Sequence, residues 1–244
     1  MPSVSEMDVV DESSSAELTD GMSLNEITGD EFNYRLGKKI GSGSFGDIFD
    51  ATEVRDEEEG RQVAVKVEPG DARSPKLGQE TNLLRILDGG PDVGIPRVHY
   101  FGSAELRIGD LDGDYDVMVM DLLGLSLEKL FINCNRRFRE MTVLLCAVQM
   151  IDRLEYVHSR GILHRDIKPH NFLIGCGQHS NKISLIDFGL AKQYRDPKTQ
   201  KHYPYRDGRS LTGTRRYVSI NVRCEMIHPS PHTNTIGANR WHLL

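Results

Sequence analysis

The chain is poor in features that would mark several classes of protein. It has 4 cysteines in 244 residues, spread widely as Cys134, Cys146, Cys176 and Cys224. A secreted scaffold stapled by disulfides needs a denser set, so these read as reduced thiols of a cytoplasmic or nuclear protein. No apolar run approaches the roughly 20 residues of a transmembrane helix, which excludes a membrane span of that kind. The opening Met1-Pro2-Ser3-Val4-Ser5-Glu6 lacks both a basic patch and an apolar block, and so does not read as a secretory signal. Residues 1–31 hold no Lys, no Arg and no aromatic residue. They hold Glu6, Asp8, Asp11, Glu12, Glu17, Asp20, Glu26, Asp30 and Glu31 instead. Such a stretch buries too little apolar surface to offset its ordering entropy, and 1–31 is expected to be a disordered acidic tail.

From Phe32 onward the texture is that of a folded chain. Strands are predicted at Tyr34–Ile40, Asp47–Val54, Gln62–Glu68, Val98–Phe101 and Tyr115–Asp121, from alternating apolar residues bounded by turn formers. Leu83, Leu84 and Leu87 fall at helical spacing, so a helix is expected between the third and fourth strands. Ser126 starts a short helix. Thr142–His158 reads as an amphipathic helix, with Val143, Leu144, Ala147, Met150, Ile151, Leu154 and Val157 on one face and Gly161 as its cap. Short strands are expected near Phe172–Ile174 and Ile183–Ile186. The plan is α+β and two-lobed: a five-stranded sheet with one helix, then a mainly helical half, with a ligand cleft between them.

Four motifs carry chemistry. Gly41-Ser42-Gly43-Ser44-Phe45-Gly46 lets backbone N–H groups approach phosphate oxygens closely. A dinucleotide fingerprint of the same form must open a helix, whereas here Ile48 and Phe49 continue as a strand. Lys66 lies within an apolar strand and needs a partner to be tolerated there; Glu80 on the following helix is the natural candidate. Such a pair would direct an ammonium toward the phosphates of a nucleotide. In His164-Arg165-Asp166-Ile167-Lys168-Pro169-His170-Asn171, Asp166 can accept a hydroxyl proton, Lys168 can neutralise a transferring phosphoryl group and Asn171 can ligate Mg²⁺. Asp187-Phe188-Gly189 supplies a second metal-binding side chain through Asp187. Phosphoryl transfer needs alignment and charge compensation, and this set offers both.

The motifs in this order resemble a eukaryotic protein kinase, and more closely the casein kinase I family of Ser/Thr kinases. The resemblance runs from about Phe32 to Val222. It is carried by Ile40 to Ile48, Asp121-Leu122-Leu123-Gly124, Asp187 to Lys192, Ser210-Leu211-Thr212-Gly213-Thr214 and Ser219-Ile220-Asn221, the last standing where most kinases have Ala-Pro-Glu. It implies a kinase domain over 32–222, with an N-lobe to about residue 120, that uses ATP and Mg²⁺. It further implies that Ile40, Ala64, Leu173 and Ile186 enclose the adenine and that Ile48 lines the ATP site. Met120 would guard the back of the pocket, and Asp121 and Leu123 would form the hinge. His170 stands where the family usually has an acid, and Asp121 where a Glu is commoner.

Phe188 to Arg223 carries Lys192, Arg195, Lys198, Lys201, Arg206, Arg209, Arg215, Arg216 and Arg223 against only Asp196 and Asp207. Guanidinium groups concentrated there suit acidic or phosphorylated peptides. No aromatic and basic residues interleave as in a nucleic-acid module, so specific nucleic-acid binding is not expected. By the resemblance, Arg216 would contact an anion upstream of the target residue, and Arg165, Lys192 and Arg209 would form a second anion site. A monomer is expected. Residues 223–244 do not resemble the family and read as irregular. A kinase C-lobe normally continues with further helices, so the C-lobe is expected to be incomplete. The alternative function is a weakly active or inactive fragment that binds nucleotide or partners as a regulatory protein.

Overall fold

A computed structural model describes residues 26–29, 32–43, 46–55, 58–90, 92–204 and 212–218. Its first half is a sheet of β1 (Glu26–Thr28), β2 (Asn33–Gly43), β3 (Gly46–Arg55), β4 (Glu58–Pro69), β5 (Val98–Ile108) and β6 (Leu111–Asp121). The order is β1-β2-β3-β4-β6-β5, and every neighbouring pair is antiparallel. The sheet therefore has six strands and not the expected five. The extra one comes from the stretch read as tail: Ile27, placed opposite Tyr34, is fully buried in the sheet's core. One apolar residue among acids was too weak a signal to mark a strand. Residues 1–25 of that stretch lie outside the described residues.

Alternation along β4 separates two environments. Val63, Val65 and Val67 point into a core with Leu36, Phe49, Val117 and Val119. Ala64, Lys66 and Glu68 point the other way, toward α1 (Leu77–Ile86). Helix α1 buries Leu77, Leu83 and Leu84 in a second core, which also takes Met118 from β6 and Phe188 from the far half of the chain. That core joins the two lobes and sits beneath the cleft.

The second half contributes α2 (Leu127–Asn133) and α3 (Glu140–Ser159). Ser126 caps α2 by accepting the Lys129 amide at 3.2 Å. Helix α3 ends at Gly161, whose φ of +75° only glycine adopts freely. Short strands follow: β7 (Ile162–Leu163) pairs with β10 (Lys192–Gln193), and β8 (Phe172–Ile174) with β9 (Ile183–Leu185).

The expected inner face of α3 requires correction. Val157 is fully buried, and Cys146, Met150 and Leu154 pack against the core. Val143, Leu144 and Ile151 are exposed, together with Met141, Leu145 and Val148. The helix is apolar over more than one stripe, and the described residues cover only one of them. Residues 223–244 lie outside the described residues, as does Ser219-Ile220-Asn221.

Candidate functional site

The cleft is built first from strand register. Ile48 on β3 stands opposite Lys66 on β4, and Ala64 stands opposite Met120 on β6. These four residues thus lie on the sheet face that looks toward the second half. Lys66 Nζ donates to Glu80 Oε2 at 2.7 Å, with side chains only 6% and 3% exposed. Asp187 Oδ1 is 3.5 Å from the same ammonium, reaching it from the other lobe. Glu80 Oε1 accepts the Phe188 amide at 3.1 Å, so one carboxylate ties β4, α1 and the Asp187-Phe188-Gly189 turn together. Burial alone would lower the Lys66 ammonium, but the Glu80 and Asp187 carboxylates outweigh it and hold the group above its ordinary value.

The Gly-rich hairpin is formed by the ends of β2 and β3. Its glycines are not equivalent. A Cβ on Gly46, at φ +136°, would meet the Val67 carbonyl oxygen at 1.9 Å, so the fold itself requires glycine there. A Cβ on Gly41 or Gly43 would meet nothing closer than 3.7 or 3.8 Å. The protein's own atoms leave room at those two positions, as a cradle for a closely approaching phosphate would. Ser42 Oγ donates to Asp47 across the turn at 2.7 Å, and Lys39 pairs with Asp47 at 2.8 Å. Ser44 and Phe45 lie outside the described residues.

The loop after β7 gathers a second cluster. Asp166 Oδ2 accepts from Lys168 Nζ at 2.6 Å. Asp166 Oδ1 accepts from the Thr214 amide at 2.9 Å and the Thr214 hydroxyl at 2.7 Å. Burial opposes the Asp166 charge, yet Lys168 and Thr214 hold its carboxyl below the ordinary value. Asn171 is buried and donates Nδ2 to the Asp166 carbonyl at 2.8 Å. That bond leaves its carbonyl oxygen as the group to offer a cation. Asp187 sits at φ +65°, ψ +70°, a left-handed conformation that non-glycine residues seldom adopt away from functional turns. Among the described residues no three His, Cys, Asp or Glu side chains form a metal cage. Asn171 and Asp187 suit a divalent ion that takes its other ligands from phosphate and water.

His164 anchors this loop from beneath. Its Nε2 bonds the Ile186 carbonyl at 2.8 Å, its Nδ1 accepts the Asp166 amide at 3.3 Å, and its ring meets Phe188 edge-on at 4.8 Å. Burial holds its pKa below the ordinary value, so the ring is neutral at pH 7.

The apolar residues expected around a purine lie where the lobes meet. Ala64 is buried, Met120, Leu123, Leu173, Ile186 and Ile48 are half-buried, and Ile40 is 51% exposed at the rim. Asp121 closes β6. Its carboxylate accepts the Arg97 amide at 2.9 Å and bonds His99 Nε2 at 2.7 Å. His99 reaches it because β5 is irregular between Val98 and Tyr100.

Arg165 Nε donates to the Leu190 carbonyl at 2.6 Å, Lys192 lies opposite Leu163 in the β7–β10 pair, and Arg216 is exposed with its guanidinium 5.7 Å from the Tyr217 ring. Arg209 lies outside the described residues. Sequence reasoning missed Thr214, His164 and His99 as partners of the site. Thr214 had no local signal, being 48 residues from Asp166. The position of His164, next to Arg165-Asp166, was the one available hint.

No helix among the described residues is long and apolar enough to cross a membrane. A family model for the protein kinase domain matches residues 34–236. That span covers most of the chain and contains both clusters of the cleft. The chain belongs to the protein kinase family, whose members use ATP and a divalent metal to phosphorylate proteins.

Proposed function

We propose that the protein is a Ser/Thr kinase of the casein kinase I type, moving the γ-phosphate of ATP to Ser or Thr in acidic or already phosphorylated proteins. The single observation behind the site assignment is that two polar clusters are joined through one turn: Lys66 pairs with Glu80 and reaches Asp187 at 3.5 Å, and the Ile186 amide beside Asp187 donates at 2.9 Å to the carbonyl of Asn171, which binds Asp166. Lys66, held by Glu80, binds the α- and β-phosphates. Asp166 orients the acceptor hydroxyl and takes its proton. Lys168 offsets the charge that develops on the transferring phosphoryl oxygens. Asn171 and Asp187 hold Mg²⁺, which when bound screens the phosphate charge and aligns the terminal group. Ile40, Ile48, Ala64, Met120, Leu123, Leu173 and Ile186 enclose the adenine, and the backbone at Asp121 and Leu123 reads its edge.

The substrate class follows from the basic segment and the resemblance. Arg216 faces solvent beside Thr214 and meets an upstream phosphate or acid; Arg165, Lys192 and Arg209 serve a second anion. The protein acts as a monomer in the cytoplasm or nucleus. The test is phosphate incorporation from ATP and Mg²⁺ into a peptide bearing phosphoserine upstream of a serine, against the same peptide unprimed. Primed peptide is the better substrate, and Arg216→Ala removes the preference. Equal rates on both peptides would overturn the substrate assignment.

A second reading has one observation in its favour. The helix that leads into the Asp166 loop keeps a stripe of apolar side chains in solvent, as would suit a nucleotide- or partner-binding regulator with little turnover. Nucleotide binding without transfer to either peptide would select it.

A further inference from the structure

Lys66 and Glu80 meet across a strand and a helix, and one ion pair does not fix how two elements lie against each other. A second tie exists two residues along β4. Glu68 lies on the same face as Lys66 and is 4% exposed. Its carboxylate reaches the start of α1. Oε2 accepts the Lys76 amide at 2.9 Å and the Leu77 amide at 2.9 Å, and Oε1 lies 3.1 Å from the Lys76 amide.

The first turn of a helix has N–H groups with no partner inside the helix, and a side-chain acceptor at the N-cap normally takes one. Lys76 holds the N-cap position here and forms no side-chain cap bond. Glu68 supplies the acceptor from another element, and its negative charge also suits the positive end of the helix dipole. The spacings match. Two residues of strand span about 6.6 Å. Lys76, whose amide Glu68 holds, lies four residues before Glu80, about 6 Å of helix rise. Glu68 therefore grips the first turn of α1 while Lys66 grips the carboxylate next along it. Two ties of matched spacing set both the position and the rotation of α1.

We propose that Glu68 is a positioning residue for phosphoryl transfer, acting through α1 to keep Glu80 in register with Lys66. Its relevance to turnover rests on the kinase reading above. Its effect on Lys66 does not, and the two are measured separately.

The full-length protein is compared with Glu68→Ala, Glu68→Gln and Glu80→Gln. Val157→Ala, a core change away from β4, serves as a control for general destabilisation. The first readout is the rate at which an amine-acylating reagent labels Lys66, site-resolved by mass spectrometry. Glu68→Ala raises Lys66 labelling roughly 2- to 30-fold, the range a lost helix cap produces. Glu68→Gln keeps an acceptor oxygen and restores most of the protection. Val157→Ala leaves Lys66 protected relative to the other lysines. Wild-type protection of Lys66 in Glu68→Ala, or equal exposure in Val157→Ala, overturns the proposal.

The second readout is kcat/KM for ATP with casein as acceptor. Glu68→Ala lowers it, and lowers it far less when Glu80 is already Gln, because both changes act on one element. Losses that multiply would show that Glu68 does not act through Glu80 and would overturn the assignment. If the wild-type protein transfers no phosphate while Glu68→Ala still exposes Lys66, the kinase reading fails and the positioning role stands.

Discussion

The two sides of the cleft hold their charges by different means. Above, Lys66 and Glu80 are nearly dry, and each is the other's main compensation. Below, Asp166 shares its oxygens among Lys168 and both donors of Thr214, and Lys168 is 21% exposed. A buried pair costs much to break, because the survivor is left charged in an apolar setting. Asp166 is itself only 6% exposed, but its charge is spread over three donors, one of them on the partly exposed Lys168, so it loses less when it is neutralised. Stability should therefore depend on the upper side, and chemistry on the lower.

The largest expected effect tests the lower side. Asp166→Asn keeps the shape and removes the proton acceptor. We expect kcat to fall about 10²- to 10⁴-fold, the usual worth of a positioned base. The melting temperature should stay near that of the wild type. Phosphate incorporation and a thermal scan on one preparation check both. The counterpart above is Glu80→Ala, which leaves Lys66 with Asp187 alone at 3.5 Å. We expect a stability loss of about 3–5 kcal/mol in urea denaturation. If the two substitutions destabilise equally, the contrast between the sides is wrong.

Glycine sharpens the same contrast. Gly46→Ala forces a Cβ into the Val67 carbonyl at a strained φ and should cost about 1–3 kcal/mol or more of stability. Gly41→Ala meets only Ile48 at 3.7 Å. It should leave unfolding unchanged and weaken nucleotide binding instead, as read by titration with ATP.

These outcomes bear on how much the sequence had disclosed. The motif residues were legible because their chemistry fixes their types: a strand lysine among valines needs an acid, and Glu80 was the acid on the next helix. Among the described residues, the five longer strands, α1 and α3 were legible from periodicity, and α2 from its start at Ser126. What was hidden depended on distance through space. Glu68 looks like the polar end of a strand until α1 folds back over it. Thr214 pairs with Asp166 across 48 residues of chain. The burial of Ile27 depends on Tyr34 in the neighbouring strand. For α3 the pattern gave the helix but not which of its apolar stripes is covered, because apolar residues occupy more than half of its circumference.

A smaller effect belongs to the joint between the two sides. His164 is kept neutral by burial, below its ordinary 6.5. The unfolded chain takes up a proton there as pH falls through about 6.5, and the folded chain resists it. Stability attached to this ring is thus complete above that pH and is lost as the solution becomes more acid. His158, lowered by the same cause, adds to the slope. Urea midpoints at pH 7.5 and 5.5 should differ in the wild type and differ less in His164→Asn. An unchanged pH slope in that variant would show that the ring does not titrate with folding.

The smallest expected effect concerns the uncovered stripe of α3. Leu145 and Val148 are each 60% exposed, whereas Val157, on the inner side of the same helix, is 0% exposed. Surface changes away from special features usually move stability by no more than about 0.5 kcal/mol, while buried truncations cost about 0.5–3 kcal/mol. Leu145→Gln should therefore leave the urea midpoint within error of the wild type, and Val157→Ala should lower it. The comparison is informative because both residues sit on one helix, with the same backbone and the same solvent. If Leu145→Gln proves as costly as Val157→Ala, its side chain is covered in solution. The helix leading into the Asp166 loop would then be braced on both faces, which would weigh against the low-turnover reading and in favour of a fully assembled kinase.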